Sequence, residues 1–437
     1  MNDKNLSIRS FKHIWHPCTQ MKHHETSPLV PIEKAQGIWL YDTNGNRYMD
    51  AISSWWVNLF GHCHPYINDA LVDQLNKIEH VMFAGFTHQP AVELAERLAQ
   101  ITPGNLDHCF FASDGASATE IALKMSFHYW QLYGKTDKVN FISLKNGYHG
   151  ETLGSLSVTE IPFFRQTYAP LLRNTEYMPS PDWRNIIGNE SHLEFALKAA
   201  SELEIFLSKH HTQIAALILE PIVQAAGGMG MYHPIYLQRA RTICDKYQVH
   251  LIADEIAVGF GRTGKMFACE HAEIVPDLLC LAKGLTGGYL PLSVVMTTDK
   301  LYQAFYQDEI SKAFVHSHSH TGNALACRAS LAALDLIEQY NIIEANQAKI
   351  DYLNQLASPL QSHPKVKNFR NRGMIWAFEV ETNDSKFSNN FFQKALEKQL
   401  LLRPLGKTVY FMPPYIIKER EIEHLVSNVL QIIDMQS

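Results

Sequence analysis

Long apolar runs are missing from this chain of 437 residues. No stretch approaches the roughly 20 consecutive apolar residues that a spanning helix needs, so a helical membrane anchor is excluded. The opening Met1-Asn2-Asp3-Lys4-Asn5 leads into no apolar signal region, and export is not expected. Cysteine is sparse: there are seven, an odd number, scattered and with no C-x-x-C pair. That argues against a disulfide framework and for reduced, mostly buried thiols in a cytoplasmic protein. A basic excess is also missing. With Lys+Arg 38 against Asp+Glu 44 the net charge is −6, which leaves no electrostatic footprint for nucleic acid. Repeats, low-complexity tracts and long linkers are absent as well.

What is present is an ordinary globular composition, 46% hydrophobic and 19% charged. The length suits one large and one small domain. Gly37 to Asp50 places apolar and aromatic residues on both sides of Asn44-Gly45, a dipeptide suited to a type I′ hairpin turn. From about Pro65 to Leu334 helices alternate with short apolar runs. Candidate strands are Cys109–Ala112, Val139–Ser143, Ala215–Leu219, His250–Ala253, Leu278–Ala282 and Ser293–Met296. Pro90–Leu98 is an amphipathic helix that stops before Pro103-Gly104. This is the rhythm of an α/β fold with a mainly parallel central sheet and helices on both faces. Residues 61–335 are expected to form the large domain. Residues 1–60 and 336–437 are expected to supply a smaller α+β domain from both chain ends.

Two strand ends carry the chemistry. Val249-His250-Leu251-Ile252-Ala253 runs into Asp254-Glu255, and Leu278-Leu279-Cys280-Leu281-Ala282 runs into Lys283-Gly284. Open α/β sheets bind ligands beyond the carboxyl ends of their strands, so both side chains would face one crevice. Lysine is the side chain that condenses with pyridoxal phosphate, and a carboxylate is the usual partner of that cofactor's ring nitrogen. A surface lysine and a strand-end acid that never meet is the plainer alternative for each residue taken singly.

Other motifs fall at the same edge. Ala112-Ser113-Asp114-Gly115-Ala116-Ser117 follows a strand and opens a helix, where small residues and about half a positive charge suit a phosphate. An ordinary cap is the competing account. Asn146-Gly147-Tyr148-His149-Gly150 offers an aromatic ring with room beside it. Glu220 ends another apolar run. Gly259-Phe260-Gly261-Arg262-Thr263-Gly264 has dinucleotide-loop spacing but opens no clear helix, so a dinucleotide site is not expected. His316, His318 and His320 recur at period two and would share one face of a strand. A metal is considered there and not expected, since no carboxylate stands at ligand spacing; Ser317 and Ser319 suit a phosphate contact equally well. Trp55 and Trp56 either fill core or wall an apolar substrate, and Arg403 is either a surface charge or a carboxylate clamp.

Together these segments resemble the class III aminotransferases of the pyridoxal-phosphate fold type I superfamily, over nearly the whole chain. Trp15-His16-Pro17, Ser53-Ser54-Trp55-Trp56, His80-Val81-Met82-Phe83, Asn146–Gly150, Glu220–Gln224, Ile252–Gly264 and Met412-Pro413-Pro414-Tyr415 carry the likeness. They resemble most the branch that aminates 8-amino-7-oxononanoate in biotin biosynthesis, with S-adenosylmethionine as the typical amino donor. The resemblance implies pyridoxal 5′-phosphate as cofactor, bound covalently by Lys283 with Asp254 at its ring nitrogen. It places Gly115 and Ala116 at the phosphate, Tyr148 against the ring, and His318 and Ser319 at the phosphate of the neighbouring subunit in a homodimer with shared active sites. Substrate positions fall on Trp55, Trp56, Tyr148, Ser317, Arg403 and Cys18. Cys18 stands where the family usually has a tyrosine tied to donor handling, so lysine as donor stays open. Another ω-aminotransferase activity on ornithine, 4-aminobutyrate or another terminal amine also stays open.

Overall fold

The computed structural model describes residues 3–27 and 29–435. The chain divides into two compact units. The larger is Tyr66–Gln347 with Arg370–Ile375; the smaller combines Met1–Pro65, Ala348–Phe369 and Trp376–Ser437.

The larger unit is built on a seven-stranded sheet. Its strand order is His108–Ala112, Ser293–Thr297, Leu278–Leu281, His250–Asp254, Ile214–Leu219, Asn140–Leu144, Glu176–Met178. Ser293–Thr297 runs antiparallel to both neighbours, and the remaining pairs are parallel. Every residue of Ile214–Leu219, His250–Asp254 and Leu278–Leu281 is buried, which is why these strands read as unbroken apolar runs. The edge strand Glu176–Met178, of three residues, is too short to show a period and was not legible. Helix Gly115–Leu132 buries Ala118, Ile121, Ala122, Met125 and Tyr129, the spacing of one helical face, and the Asp114 side chain caps its start by accepting from Ser117 N. Parallel register sets Asp254 opposite Cys280, so Asp254 ends its strand beside the one that leads into Lys283.

The smaller unit holds a four-stranded sheet ordered Ile32–Gln36, Trp39–Asp42, Arg47–Asp50, Leu400–Leu401, and a three-stranded sheet of Val366–Arg372, Ile375–Val380 and Thr408–Phe411. Helix Glu419–Asp434 buries Ile422, Leu425, Val426, Val429, Ile432 and Ile433 along one stripe. The hairpin at Asn44-Gly45 forms, but its turn is not type I′. Of the two residues only Gly45 has positive φ (83°), and Gly45 N donates to Asp42 O at 3.0 Å. The Asp42 carboxylate explains the change: it accepts from Asn44 N (2.9 Å), Asn46 N (2.8 Å) and the Tyr48 hydroxyl (2.9 Å), gathering a longer loop around itself.

His250 opens its strand deep in the larger unit. Its Nδ1 pairs with Ser126 Oγ at 2.9 Å and its ring stacks on Trp130 at 4.6 Å between centroids. Burial pulls its pKa from 6.5 down to about 4. The unfolded chain therefore takes up this proton first. The stabilisation is complete above the unfolded pKa and lost as pH falls towards the folded one. We expect this group to remove about 2 kcal/mol of unfolding free energy between about pH 7.5 and about pH 5. His250→Phe, which keeps the ring stack, should flatten that part of the pH dependence in urea melts; an unaltered slope would contradict the assignment.

Candidate active site

Three ionisable groups meet at the carboxyl edge of the sheet in the larger unit: Asp254, Glu220 and Lys283. Asp254 is 4% exposed. Its Oδ2 lies 2.7 Å from His149 Nδ1, and its Oδ1 accepts from Ile256 N at 3.1 Å. An ionised carboxylate only accepts, so His149 Nδ1 carries the hydrogen of that bond. His149 is itself fixed, donating its backbone N–H to Thr159 Oγ1 at 2.9 Å. Glu220 Oε1 accepts from Tyr148 N (3.0 Å) and its Oε2 from Ala225 N (2.8 Å). Burial still wins over those donors and raises Glu220 to about 7, with the nearby Asp254 charge adding to the rise. Lys283 moves the other way. Burial lowers it to about 8, although Asp254 and Glu220 both pull it upward. The turn that delivers it is strained, with Lys283 itself at φ 48°.

The start of helix Gly115–Leu132 lies in the same unit. A Cβ on Gly115 would sit 3.0 Å from Ile256 Cγ2, and one on Gly150 would sit 2.6 Å from Ala116 Cβ. Gly115 is therefore small because Ile256 closes in on it, and Gly150 because Ala116 does. Ser113 Oγ, just before the helix, pairs with His318 Nδ1 at 3.1 Å, which brings His318 to the helix start. Tyr148 is half-buried, and its hydroxyl donates to Glu151 Oε1 at 2.9 Å. Ser317 and Ser319 are exposed, and the Ser319 carbonyl pairs with His80 Nε2 at 2.8 Å.

The three period-two histidines lie on irregular backbone, not on a strand. His316 Nδ1 pairs with Lys124 Nζ at 2.8 Å, His318 turns to Ser113, and the His320 ring lies 4.6 Å from His80. Among the described residues no cluster of three or more His, Cys, Asp or Glu is placed to hold a metal. The Gly259–Gly264 segment forms turns, with Phe260 at φ 56° and Gly261 at φ 94°.

In the smaller unit Trp55 is 44% exposed and Trp56 3%. Trp56 packs in the core and donates Nε1 to the Tyr410 hydroxyl at 3.1 Å. Adjacent residues of one helical turn point about 100° apart, which is what separates the two indoles. The turn itself is left-handed: Ser53, Ser54, Trp55 and Trp56 have φ 53°, 45°, 75° and 72°. That conformation costs roughly 1–2 kcal/mol per residue for L-amino acids. Arg403 lies 5.0 Å above the Trp55 ring and donates Nη2 to the Cys18 carbonyl at 2.6 Å, so Trp55, Arg403 and Cys18 are brought together. His149 was missed as a partner of Asp254. Its role depends on a partner brought by the fold from 105 positions away.

Chemically, the larger unit offers a buried anion with lone pairs to spare, an amine near its reactive form, and a helix start open to an anion. Comparison with known proteins defines the class. The aminotransferase class-III family model matches residues 20–433, and the chain belongs to that family. Among its relatives, a Helicobacter pylori protein named adenosylmethionine-8-amino-7-oxononanoate aminotransferase is 47% identical, the match spanning 99% of this chain and 98% of that protein. The crystal structure of the Methanocaldococcus jannaschii protein of the same name is 36% identical with TM-score 0.93, covering 100% of both chains. A Thermomicrobium roseum (S)-enantioselective ω-transaminase superposes with TM-score 0.95 at 29% identity, covering 99% of both chains.

Packing around the helix start makes a direct test. Gly150 has φ 123° and no room for a Cβ, whereas Gly45 has φ 83° and nothing within 4 Å. Gly150→Ala should lower unfolding free energy by about 3 kcal/mol and Gly45→Ala by about 1 kcal/mol. Equal losses in urea melts would show that the contact with Ala116 is unimportant.

Proposed function

We propose that this chain transfers an amino group from S-adenosylmethionine to the ketone of 8-amino-7-oxononanoate, giving 7,8-diaminononanoate for biotin biosynthesis. The observation that carries this reading is the 47% identity over 99% of the chain to a protein named for that activity.

Pyridoxal 5′-phosphate is the cofactor that the residues fit. The glycine-lined helix start suits its phosphate, buried Asp254 its ring nitrogen, and Lys283, lowered to about 8, its aldehyde. Bound there, it supplies an aldehyde that condenses with amines and a protonated ring that withdraws electrons from the adjacent carbon. Gly115 and Ala116 would hold the phosphate, and Tyr148 would lie against the ring. Asp254, oriented by His149 and the Ile256 N–H, would stand at the ring nitrogen, where a carboxylate favours the protonated form. Lys283 Nζ takes the proton from the substrate carbon that bears the amine and returns one in the second half of the cycle. An unperturbed lysine holds its own proton too firmly for this near neutral pH; burial is what loosens it.

Arg403 would receive the carboxylate of 8-amino-7-oxononanoate, and Trp55 would lie along its aliphatic chain. Ser317 would border the substrate. Ser319, exposed in the single chain, would reach the phosphate of a neighbouring subunit in a homodimer with shared sites, with His318 beside it. We place the protein in the cytoplasm; no described helix is long and apolar enough to cross a membrane. A second reading keeps the acceptor and takes lysine as donor. Cys18 favours it, standing where the family usually has the tyrosine tied to donor handling.

Lys283→Ala should abolish the visible absorption of protein-bound cofactor and lower turnover at least about a thousandfold. A band that survives would refute the assignment of Lys283. Uptake of pyridoxal phosphate by the cofactor-free protein needs the neutral amine, so its rate should rise with pH and level off above about 8. A stopped-flow profile that is flat through this range would count against the lowered value. A donor screen with 8-amino-7-oxononanoate as acceptor, run on wild type and Cys18→Tyr, separates the donors: activity with lysine and none with S-adenosylmethionine selects the second reading.

A further inference from the structure

A left-handed turn of four residues without a glycine does not hold itself. Ser53–Trp56 stays wound because groups around it take up its backbone and side chains. Asp50, at the end of strand Arg47–Asp50 and 0% exposed, supplies most of this. Its Oδ1 accepts from Ser54 N at 2.8 Å, and its Oδ2 accepts from Ser54 Oγ at 2.6 Å. His62 Nε2 lies 3.0 Å from the same Oδ2. The turn is closed by Trp56 N to Ile52 O and Val57 N to Ser53 O, both at 2.9 Å, and Ser53 Oγ donates to Met412 O at 2.7 Å. One product of this winding is that Trp56 goes into the core while Trp55 is put out under the Arg403 guanidinium.

We propose that Asp50 is a positioning residue for acceptor recognition: its carboxylate clamps Ser54 in the left-handed region and thereby holds Trp55 against Arg403. The inference rests on the acceptor-binding role given to those two residues above. Asp50 touches no substrate in this scheme. It acts on the angle at which the indole is presented, and a relaxed turn would carry Trp55 away from the guanidinium.

The test uses the holoenzyme and reads KM and kcat with 8-amino-7-oxononanoate as varied substrate. Asp50→Ala should raise the acceptor KM about tenfold with kcat within about twofold of wild type, and with bound pyridoxal phosphate and its visible spectrum unchanged. Glycine adopts a φ near 45° without strain, so Ser54→Gly added to Asp50→Ala should recover much of the lost KM. A purely structural role predicts otherwise: loss of cofactor and kcat together, and no recovery with glycine. That pattern overturns the proposal. Should Asp50→Ala fail to fold, Ser54→Ala decides, since it deletes one of the three bonds. It should raise the same KM about threefold, and an unchanged KM overturns the proposal. Trp55→Ala and Arg403→Ala run alongside. If neither raises the acceptor KM, the acceptor-binding reading fails. If both raise it and Asp50→Ala leaves it unchanged, only the clamp fails.

Discussion

A carboxylate buried inside the protein is the constraint around which the larger unit is arranged. Burying Asp254 without partners would cost several kcal/mol or drive it to take up a proton. The bond from His149 and the Ile256 N–H offset that, and both come from the fold. Burial is the main influence on the neighbouring groups, and Asp254 adds to it. Glu220, close by and buried, is pushed up to about 7, while the charge of Asp254 limits how far Lys283 falls. Charge and amine sit near each other because parallel neighbours are about 5 Å apart and their register ends both strands at one edge.

The smaller unit solves a different problem. It must put one large aromatic ring out and the next one in, within two residues. An extended strand would do this by alternation, but the chain instead winds Ser53–Trp56 the wrong way for L-residues. Such strain persists only where the surroundings over-determine it. Here Asp50, His62, the Met412 carbonyl and the Tyr410 hydroxyl do so.

The fold by itself does not choose a substrate. Structures named as ω-transaminases superpose on this chain as well as the Methanocaldococcus jannaschii aminotransferase does, with TM-scores of 0.95 and 0.93. Sequence identity separates them, at 29% and 36%. A common scaffold therefore carries the shared chemistry, and specificity is left to side chains on it. Cys18, Trp55 and Arg403 are grouped in the smaller unit, while the acid–amine cluster lies in the larger.

Much was legible in the chain alone. The strands of the central sheet are short apolar runs, so six of them and the residues that end them could be read by eye. That is why Asp254 and Lys283 stood out, and why the class III likeness could be recognised from ordered motifs. Tertiary structure decided what depends on contacts between distant positions. His149 reaches Asp254 only across the folded sheet; on irregular backbone His316 and His318 stay ring to ring while His320 turns to His80. Asn44-Gly45 gives a longer turn because Asp42 collects the loop's N–H groups. Trp55 and Trp56 are neighbours of identical chemistry, and the turn they share leaves one exposed and puts the other in the core. Local composition sets which residues are capable of a role, whereas desolvation and hydrogen-bond partners, which arise only on folding, set which of them take it up.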